Sequence, residues 1–261
     1  MDLLRRSIKI IREKGFFAFL DKVSMFILNN IKFNCFKIWV RINPQKATLQ
    51  LKNFDSKNSE EIFSFSWNFY SGLIRPMQIK EEFLELLKIF QKQNPKYILE
   101  IGTANGGSLF CFCKLAKDNA TIISIDLPGG KFGGSYPEWK IPIYKAFAKK
   151  NQKFYLLRKG SHSKETLEEV KKILNGDQLD FLFIDGDHNY EGVKKDFEMY
   201  SPLVRKGGII VFHDVAKQPE FTKCYVYDFW KEIKKTINTK EIINGKNEIG
   251  INYGIGIVFV D

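Results

Sequence analysis

The sequence predicts an α/β chain, a mostly parallel sheet with flanking helices, carried behind an N-terminal helical extension. Three observations lead there. From Tyr97 onward, short apolar runs alternate with stretches of helical period. A glycine-rich turn separates the first of those runs from the helix after it. Basic charge gathers in the first 46 residues and leaves the remainder nearly balanced.

The charge fixes the first boundary. Lys+Arg number 41 against 30 Asp+Glu, a net +11 over 261 residues. Residues 1–46 hold ten Lys/Arg and three acids, which is +7 of that total. The segment mixes lysines with Phe, Ile, Leu and Trp39. Two readings stand for it. Its amphipathic helices pack on the main body or on a second copy, or they lie as a peripheral contact on an anionic membrane surface. The start Met1 to Arg6 lacks the pattern of a secretory signal. Within the apolar stretch Phe16 to Val40, the longest uncharged run, Val23 to Ile31, is far short of the ~20 residues needed to span a bilayer. A cytoplasmic protein, peripheral on the inner face of the membrane at most, is expected. Four cysteines are too few for a disulfide scaffold, and Cys111 and Cys113 lack zinc-site spacing. They read as reduced thiols.

Along the chain, Asn43-Pro44 to Glu60 reads as a polar linker, so residues 1–75 form a basic amphipathic segment plus linker and residues 76–261 the main domain. Gln78 to Gln91 is helical, with Phe83, Leu84, Leu86, Leu87, Ile89 and Phe90 as its apolar face. Strands are predicted at Tyr97–Ile101, Thr121–Ile125, Phe154–Leu157, Phe181–Ile184 and Ile209–Phe212. Helices between them fall at Ser108–Ala116, Tyr144–Lys149, Lys164–Leu174 and Tyr190–Tyr200. Such alternation builds βαβ units and a parallel sheet. The tail Ile249 to Val260, β-branched and punctuated by glycine, reads as a final strand pair.

Parallel sheets bind ligands beyond the carboxyl ends of their strands. The first strand runs into Glu100-Ile-Gly-Thr-Ala-Asn-Gly-Gly-Ser108. A dinucleotide loop would want glycine where Ala104 stands, and Glu100 suits a cationic ligand better than a phosphate. Asp126 follows Gly107 by 19 residues, near the ~20 expected of a carboxylate on ribose hydroxyls. A nucleoside ligand without a pyrophosphate fits. The alternative is a tight turn with an N-capping Asp. The fourth strand ends in Asp185-Gly-Asp-His188 and the fifth in His213-Asp214. Two carboxylates brought together repel unless a cation stands between them. Oxygen ligands suit Mg²⁺, and the nitrogen of His213 shifts the choice toward Mn²⁺ or Fe²⁺. All three histidines, 162, 188 and 213, fall at or just beyond strand ends.

The Glu100–Ser108 segment resembles the first motif of class I S-adenosylmethionine-dependent methyltransferases. Three further stretches are more specific: Asp126-Leu-Pro-Gly-Gly-x-Phe-Gly-Gly-x-Tyr-Pro137, Ile184-Asp-Gly-Asp-His-x-Tyr-Glu-Gly-Val193 and Leu203-Val-Arg-x-Gly-Gly-Ile-Ile-Val-x-His-Asp214. They resemble the metal-dependent sugar O-methyltransferases of the macrolide and rhamnosyl type and the cephalosporin hydroxylase-like proteins. The resemblance covers roughly residues 76–215 and implies a Rossmann-like seven-stranded methyltransferase sheet, six strands parallel and the last antiparallel. It implies that Glu100, Gly102, Thr103, Gly106, Gly107 and Ser108 form the S-adenosylmethionine loop, with Asp126 on the ribose, Ser161 and His162 against the adenine, and Asp185 close to the cofactor. It also implies metal ligands at Asp185 and Asp214, with His213 where those enzymes carry an acid, and a general base at His188. Asp187 either orients that imidazole or starts the next helix.

The expected chemistry is methyl transfer to a hydroxyl of a sugar, glycan or related small molecule. The N-terminal region and the loop Pro128–Pro142 would shape the acceptor pocket, with Tyr136 and Trp139 either stacking on a sugar ring or packing. Nucleic-acid methylation is disfavoured, because Asp-Gly-Asp-His stands where an Asn/Asp-Pro-Pro-aromatic motif belongs and the basic charge lies outside the catalytic body. Ala104 disfavours a dehydrogenase. A non-catalytic cofactor-binding or membrane-scaffold protein is disfavoured by the Asp185, His188 and Asp214 set.

Overall fold

The structure is a computed structural model and describes residues 23–25, 27–129, 136–247 and 250–261. Three sequence expectations reach beyond these residues: the signal and membrane readings over 1–22, the acceptor loop over 130–135, and the start of the tail at 248–249.

Seven strands form one sheet in the order β3-β2-β1-β4-β5-β7-β6. Strands β1 (Tyr97–Ile101), β2 (Thr121–Ile125), β3 (Lys153–Leu157), β4 (Leu179–Ile184) and β5 (Val204–His213) run parallel. Strand β7 (Ile255–Phe259) is antiparallel to both β5 and β6 (Thr239–Ile242). The order reverses between β1 and β4, which opens a crevice at the carboxyl ends of those two strands.

The strands alternate their side chains between two apolar layers. Phe181 and Phe183 face one layer, Leu182 and Ile184 the other. On the first side pack α1 (residues 27–42), α2 (Pro44–Asn53), α3 (Ser59–Asn68), α4 (Lys80–Gln93), α5 (Gly107–Leu115) and α6 (Ile141–Lys145). On the second lie α7 (Lys164–Leu174), α8 (Tyr190–Tyr200) and α9 (Val226–Ile233). Helix α4 buries Phe83, Leu86, Leu87 and Phe90, the i, i+3, i+4, i+7 stripe of a helix against a sheet. Its Phe90 ring meets Phe112 at 4.9 Å and Phe181 at 4.7 Å.

Several predicted elements shift. Residues 43–60 are no linker. Pro44 sits in the first turn of α2, Ala47 and Leu51 are buried one helical turn apart, and the Asn58 side chain accepts the N–H groups of Glu60 and Glu61 to cap α3. Polar caps gave this stretch its linker-like composition. Val40, Leu51, Ile62, Phe63 and Ile74 share one apolar cluster with Ile98 and Phe181, and Lys114 donates to the Leu51 carbonyl at 2.9 Å. The helix expected at 144–149 is α6, beginning earlier at Ile141 with Pro142 in its first turn. Strand β5 extends back to Val204 through Gly207 and Gly208, where its register with β4 shifts between Leu179 and Phe181. The tail supplies one strand rather than two, because β7 takes its second partner from β6. Strand β6 and helix α9 had no clear signal: Thr-Lys-Glu-Ile is a short polar edge strand. Cys111 and Cys113 are buried free thiols, and burial pushes Cys111 up to about 12. Among the described residues, no helix is long and apolar enough to cross a membrane.

The far edge depends on one close approach. A Cβ on Gly256 of β7 would lie 2.7 Å from the ring of the fully buried Trp230 of α9. Gly256→Ala is therefore expected to cost about 1–3 kcal/mol through overpacking, read as a lower urea midpoint. An unchanged midpoint would show that the indole moves freely.

Candidate active site

A cavity of about 770 Å³ opens at the carboxyl ends of β1, β2, β4 and β5. Gly102 begins it, in a left-handed backbone (φ 97°). A Cβ there would meet the Asp185 carbonyl oxygen at 2.0 Å, so only glycine lets the loops after β1 and β4 pass. The Asp126 carboxylate fastens the turn that follows. Its Oδ2 accepts the N–H groups of Thr103 (3.1 Å) and Ala104 (2.8 Å). Tyr144 donates its hydroxyl to the Ala104 carbonyl at 2.8 Å. Ala104 is held left-handed (φ 43°), a strained state for a residue with a Cβ.

The predicted cofactor-loop residues separate into two sets. Gly102, with Asp126, Ser161, His162 and Asp185, faces the cavity. Glu100, Thr103, Gly106, Gly107 and Ser108 lie beneath or beside it. Glu100 is wholly buried and accepts from Ser108 Oγ at 2.5 Å and Ser124 Oγ at 3.3 Å. Burial raises its pKa well above the usual carboxylate range. It braces the start of α5 against β2, and its carboxylate does not line the cavity. A Cβ on Gly106 would meet the Tyr144 ring at 2.8 Å, and one on Gly107 the backbone of Arg75 and Pro76 at 2.6 and 2.2 Å. These two glycines serve the packing of the loop. Ala104 and Asn105 line the wall in their place. Tyr136 and Trp139 are both packed away from the cavity, Tyr136 against Tyr144 with ring centroids 4.7 Å apart.

Beside this turn, four titratable side chains converge. His213 Nδ1 lies 3.0 Å from Asp185 Oδ1 and 3.3 Å from Asp214 Oδ2. His188 Nε2 lies 3.7 and 3.6 Å from the same two oxygens. His213 is 5% exposed, Asp214 6%, Asp185 13% and His188 28%, which makes His188 the member most open to an incoming molecule. Burial raises the Asp185 pKa, but the His213 and His188 charges outweigh it and hold the carboxyl below its ordinary value. Burial likewise opposes charge on the two imidazoles, and the paired carboxylates overcome it. Both histidines titrate higher than usual, His213 by far the more. The backbone at Asp214 is left-handed (φ 65°), a second strained point at the site.

Two amides that sequence reading missed aim these carboxylates. Gln78 Nε2 donates to Asp185 Oδ2 at 2.7 Å and Gln218 Nε2 to Asp214 Oδ1 at 2.6 Å. Each carboxylate thus has its outer oxygen tied and its inner oxygen turned to the imidazoles. Ligand atoms of Asp185, His213 and Asp214 all lie within 4.8 Å of one another, and a second group of His188, Asp214 and Cys224 meets the same limit. Two carboxylates with outer-oxygen supports and an imidazole fit a divalent ion. Gln78 stands 107 positions from its partner, so no local pattern could have shown it. Asp187 shapes the turn just before α8, whose N-cap is Asn189: its Oδ1 accepts from the Asn189 backbone and side chain, both at 2.9 Å.

His162 ties the loop after β3 to α8. Its Nε2 lies 3.1 Å from the Gly192 carbonyl and 3.2 Å from Asp196 Oδ1, a carboxylate with no exposure. The Asp196 contact raises its pKa. A histidine whose folded pKa exceeds its unfolded value stabilises most below the unfolded value of about 6.5, and that contribution fades as pH rises through the folded value. The stability advantage of the natural chain over His162→Gln should be larger at pH 6 than at pH 9 in urea melts. A pH-independent difference would mean that the imidazole is neutral in the folded chain.

Residues 99–215 match the family model Methyltransf_24, a methyltransferase domain. An uncharacterized protein of Sinorhizobium fredii, y4gI, is 32% identical over 144 residues, which is 53% of this chain and 15% of the relative. An uncharacterized protein of Acanthamoeba polyphaga mimivirus, R132, is 33% identical over 132 residues, 49% of this chain and 55% of the relative. The chain thus spans only part of either relative's length. Among solved structures, the O-methyltransferase TomG of Streptomyces achromogenes, involved in tomaymycin synthesis and in complex with SAM, superposes with a TM-score of 0.52 at 13% identity, over 80% of this chain and 92% of that one. A Bacillus cereus O-methyltransferase in complex with SAH gives 0.50 at 17%, over 79% and 92%. At such identities the likeness is one of fold. Residues 99–215 thus match a methyltransferase domain, and the chain shares its fold with these O-methyltransferases.

Proposed function

We propose that this chain transfers the methyl group of S-adenosylmethionine to a hydroxyl oxygen, with the Asp185–His188–His213–Asp214 cluster at the acceptor end. One observation carries the reading: a single cavity holds both Asp126 and that cluster. Strand β2 is two and three places from β4 and β5, so the two ends stand about 10–15 Å apart at ~4.8 Å per strand. That spacing suits a nucleoside at one end and its sulfonium near the other.

In this reading Asp126 receives the ribose hydroxyls, and Leu127, Ser161 and His162 flank the base. The acceptor hydroxyl gives its proton to His188 Nε2. Its oxygen attacks the methyl carbon in line with sulfur, the carbon–sulfur bond breaks, and its electron pair stays on sulfur as the neutral thioether. Positioning accounts for about 7–11 kcal/mol of barrier reduction. Asp185 and Asp214 stabilise the imidazolium that forms. A divalent ion held by Asp185, His213 and Asp214 would supply acidification of neighbouring acceptor hydroxyls. A sugar, glycan or related polyol is the acceptor class supported by the motifs around Asp185 and Asp214.

Isothermal titration with S-adenosylmethionine tests the cofactor end. Asp126→Ala should weaken binding about 10- to 100-fold, the loss of charge-assisted hydrogen bonds. Release of S-adenosylhomocysteine across a glycan panel tests the acceptor end. His188→Ala should lower turnover about 10²–10⁴-fold while cofactor affinity holds. No heat with S-adenosylmethionine defeats the proposal, and wild-type turnover in His188→Ala defeats the base assignment.

A further inference from the structure

Helix α1 has two apolar faces, and among the described residues only one of them is covered. Val40 is buried in the core, and the Phe36 and Trp39 rings each lie 5.5 Å from Tyr70. A second face, about 120° round the helix at ~100° per residue, carries Leu28, Ile31, Ile38 and Ile42, exposed by 61%, 54%, 59% and 71%. With Ile27 and Cys35 these fall within an arc of about 100° at ~100° per residue. On the same wheel, Lys32 borders one edge of the arc and Arg41 the other. Leu49 on α2 is also exposed, with Lys46 and Lys52 on the same helix. From residue 23 to residue 54 the sequence has five basic residues (32, 37, 41, 46 and 52) and no acidic one.

We propose that α1 lies in the surface of an anionic lipid membrane, with Leu28, Ile31, Ile38 and Ile42 at the acyl boundary and Lys32 and Arg41 among the headgroup phosphates. The charge pattern decides between occupants. A second copy of the chain packed along this seam would bring two basic rows together without a carboxylate in either segment to separate them. Anionic headgroups complement the basic edges while the acyl boundary takes the apolar arc, the two requirements of an interfacial helix. The inference is independent of the methyl-transfer reading, since it uses none of the cavity residues.

Flotation of the full chain tests it, using vesicles of phosphatidylglycerol in phosphatidylcholine against phosphatidylcholine alone. The chain should float with the anionic vesicles, stay behind with the neutral ones, and be released by high salt. Replacing Lys32 and Arg41 by Gln should weaken recovery roughly fivefold per residue. Ile31→Asp with Ile38→Asp should abolish it, and thermal melts will show that these exposed changes keep the fold. Three results would overturn the proposal: no recovery with anionic vesicles, equal recovery with neutral ones, or variants that bind like the natural chain. A stable dimer in sedimentation equilibrium that Ile31→Asp dissociates would assign the face to a second copy instead.

Discussion

Two carboxylates stand at the ends of adjacent strands, and neither can remain charged there without positive charge between them. Asp185 ends β4, Asp214 follows β5, and the sheet register sets Ile184 opposite Phe212. The repulsion is answered by His213, whose Nδ1 lies 3.0 Å from one carboxylate and 3.3 Å from the other. A proton on that nitrogen and a divalent ion do the same electrostatic work, and Nδ1 cannot hold both. Occupation by a metal would therefore release the proton, which ties affinity for an ion to pH. The loop geometry around the cluster follows from the same need. Gln78 and Gln218 restrain the outer oxygens, and strained backbone at Asp214 brings its carboxylate inward.

The cofactor end rests on a different device. One carboxylate oxygen of Asp126 takes two backbone N–H groups, so the turn after β1 and the side chain after β2 hold each other. Below them Glu100, Ser108 and Ser124 form a buried bracket outside the cavity lining. The acidic residue at the end of β1 thus acts through the shape of the loop. The glycines divide along the same line: Gly102 allows the β1 and β4 loops to cross, while Gly106 and Gly107 admit Tyr144 and the Arg75–Pro76 backbone.

What the sequence made legible is what local physics encodes. The central strands were readable because each is a short apolar run, and β1 and β2 fall at the expected residues. Asp185, His188, His213 and Asp214 were readable because strand ends are where parallel sheets place chemistry, and the structure brings all four together. Contacts between distant segments left no local trace. Glu100 and Asp126 look alike in sequence, each an acid at a strand end, yet one is sealed by two serines and the other lines the cavity. Asn58 and Pro44 looked like linker residues until their helices gave them caps to make. Edge strand β6 had too little apolar content to stand out without β7 beside it.

The N-terminal helices are joined to the site by more than proximity in sequence. Lys140, at the start of α6, is buried and donates to the Leu73 carbonyl and to Asn105 Oδ1, each at 3.3 Å. Asn105 is part of the cavity wall. Burial, joined by the charge of Lys37 on α1, lowers the Lys140 pKa to about 8. A charged Lys140 holds Asn105 more firmly, because a hydrogen bond from an ionised donor is stronger than one from a neutral amine. Helix α1 and the wall of the cavity are thus linked through two lysines and one amide.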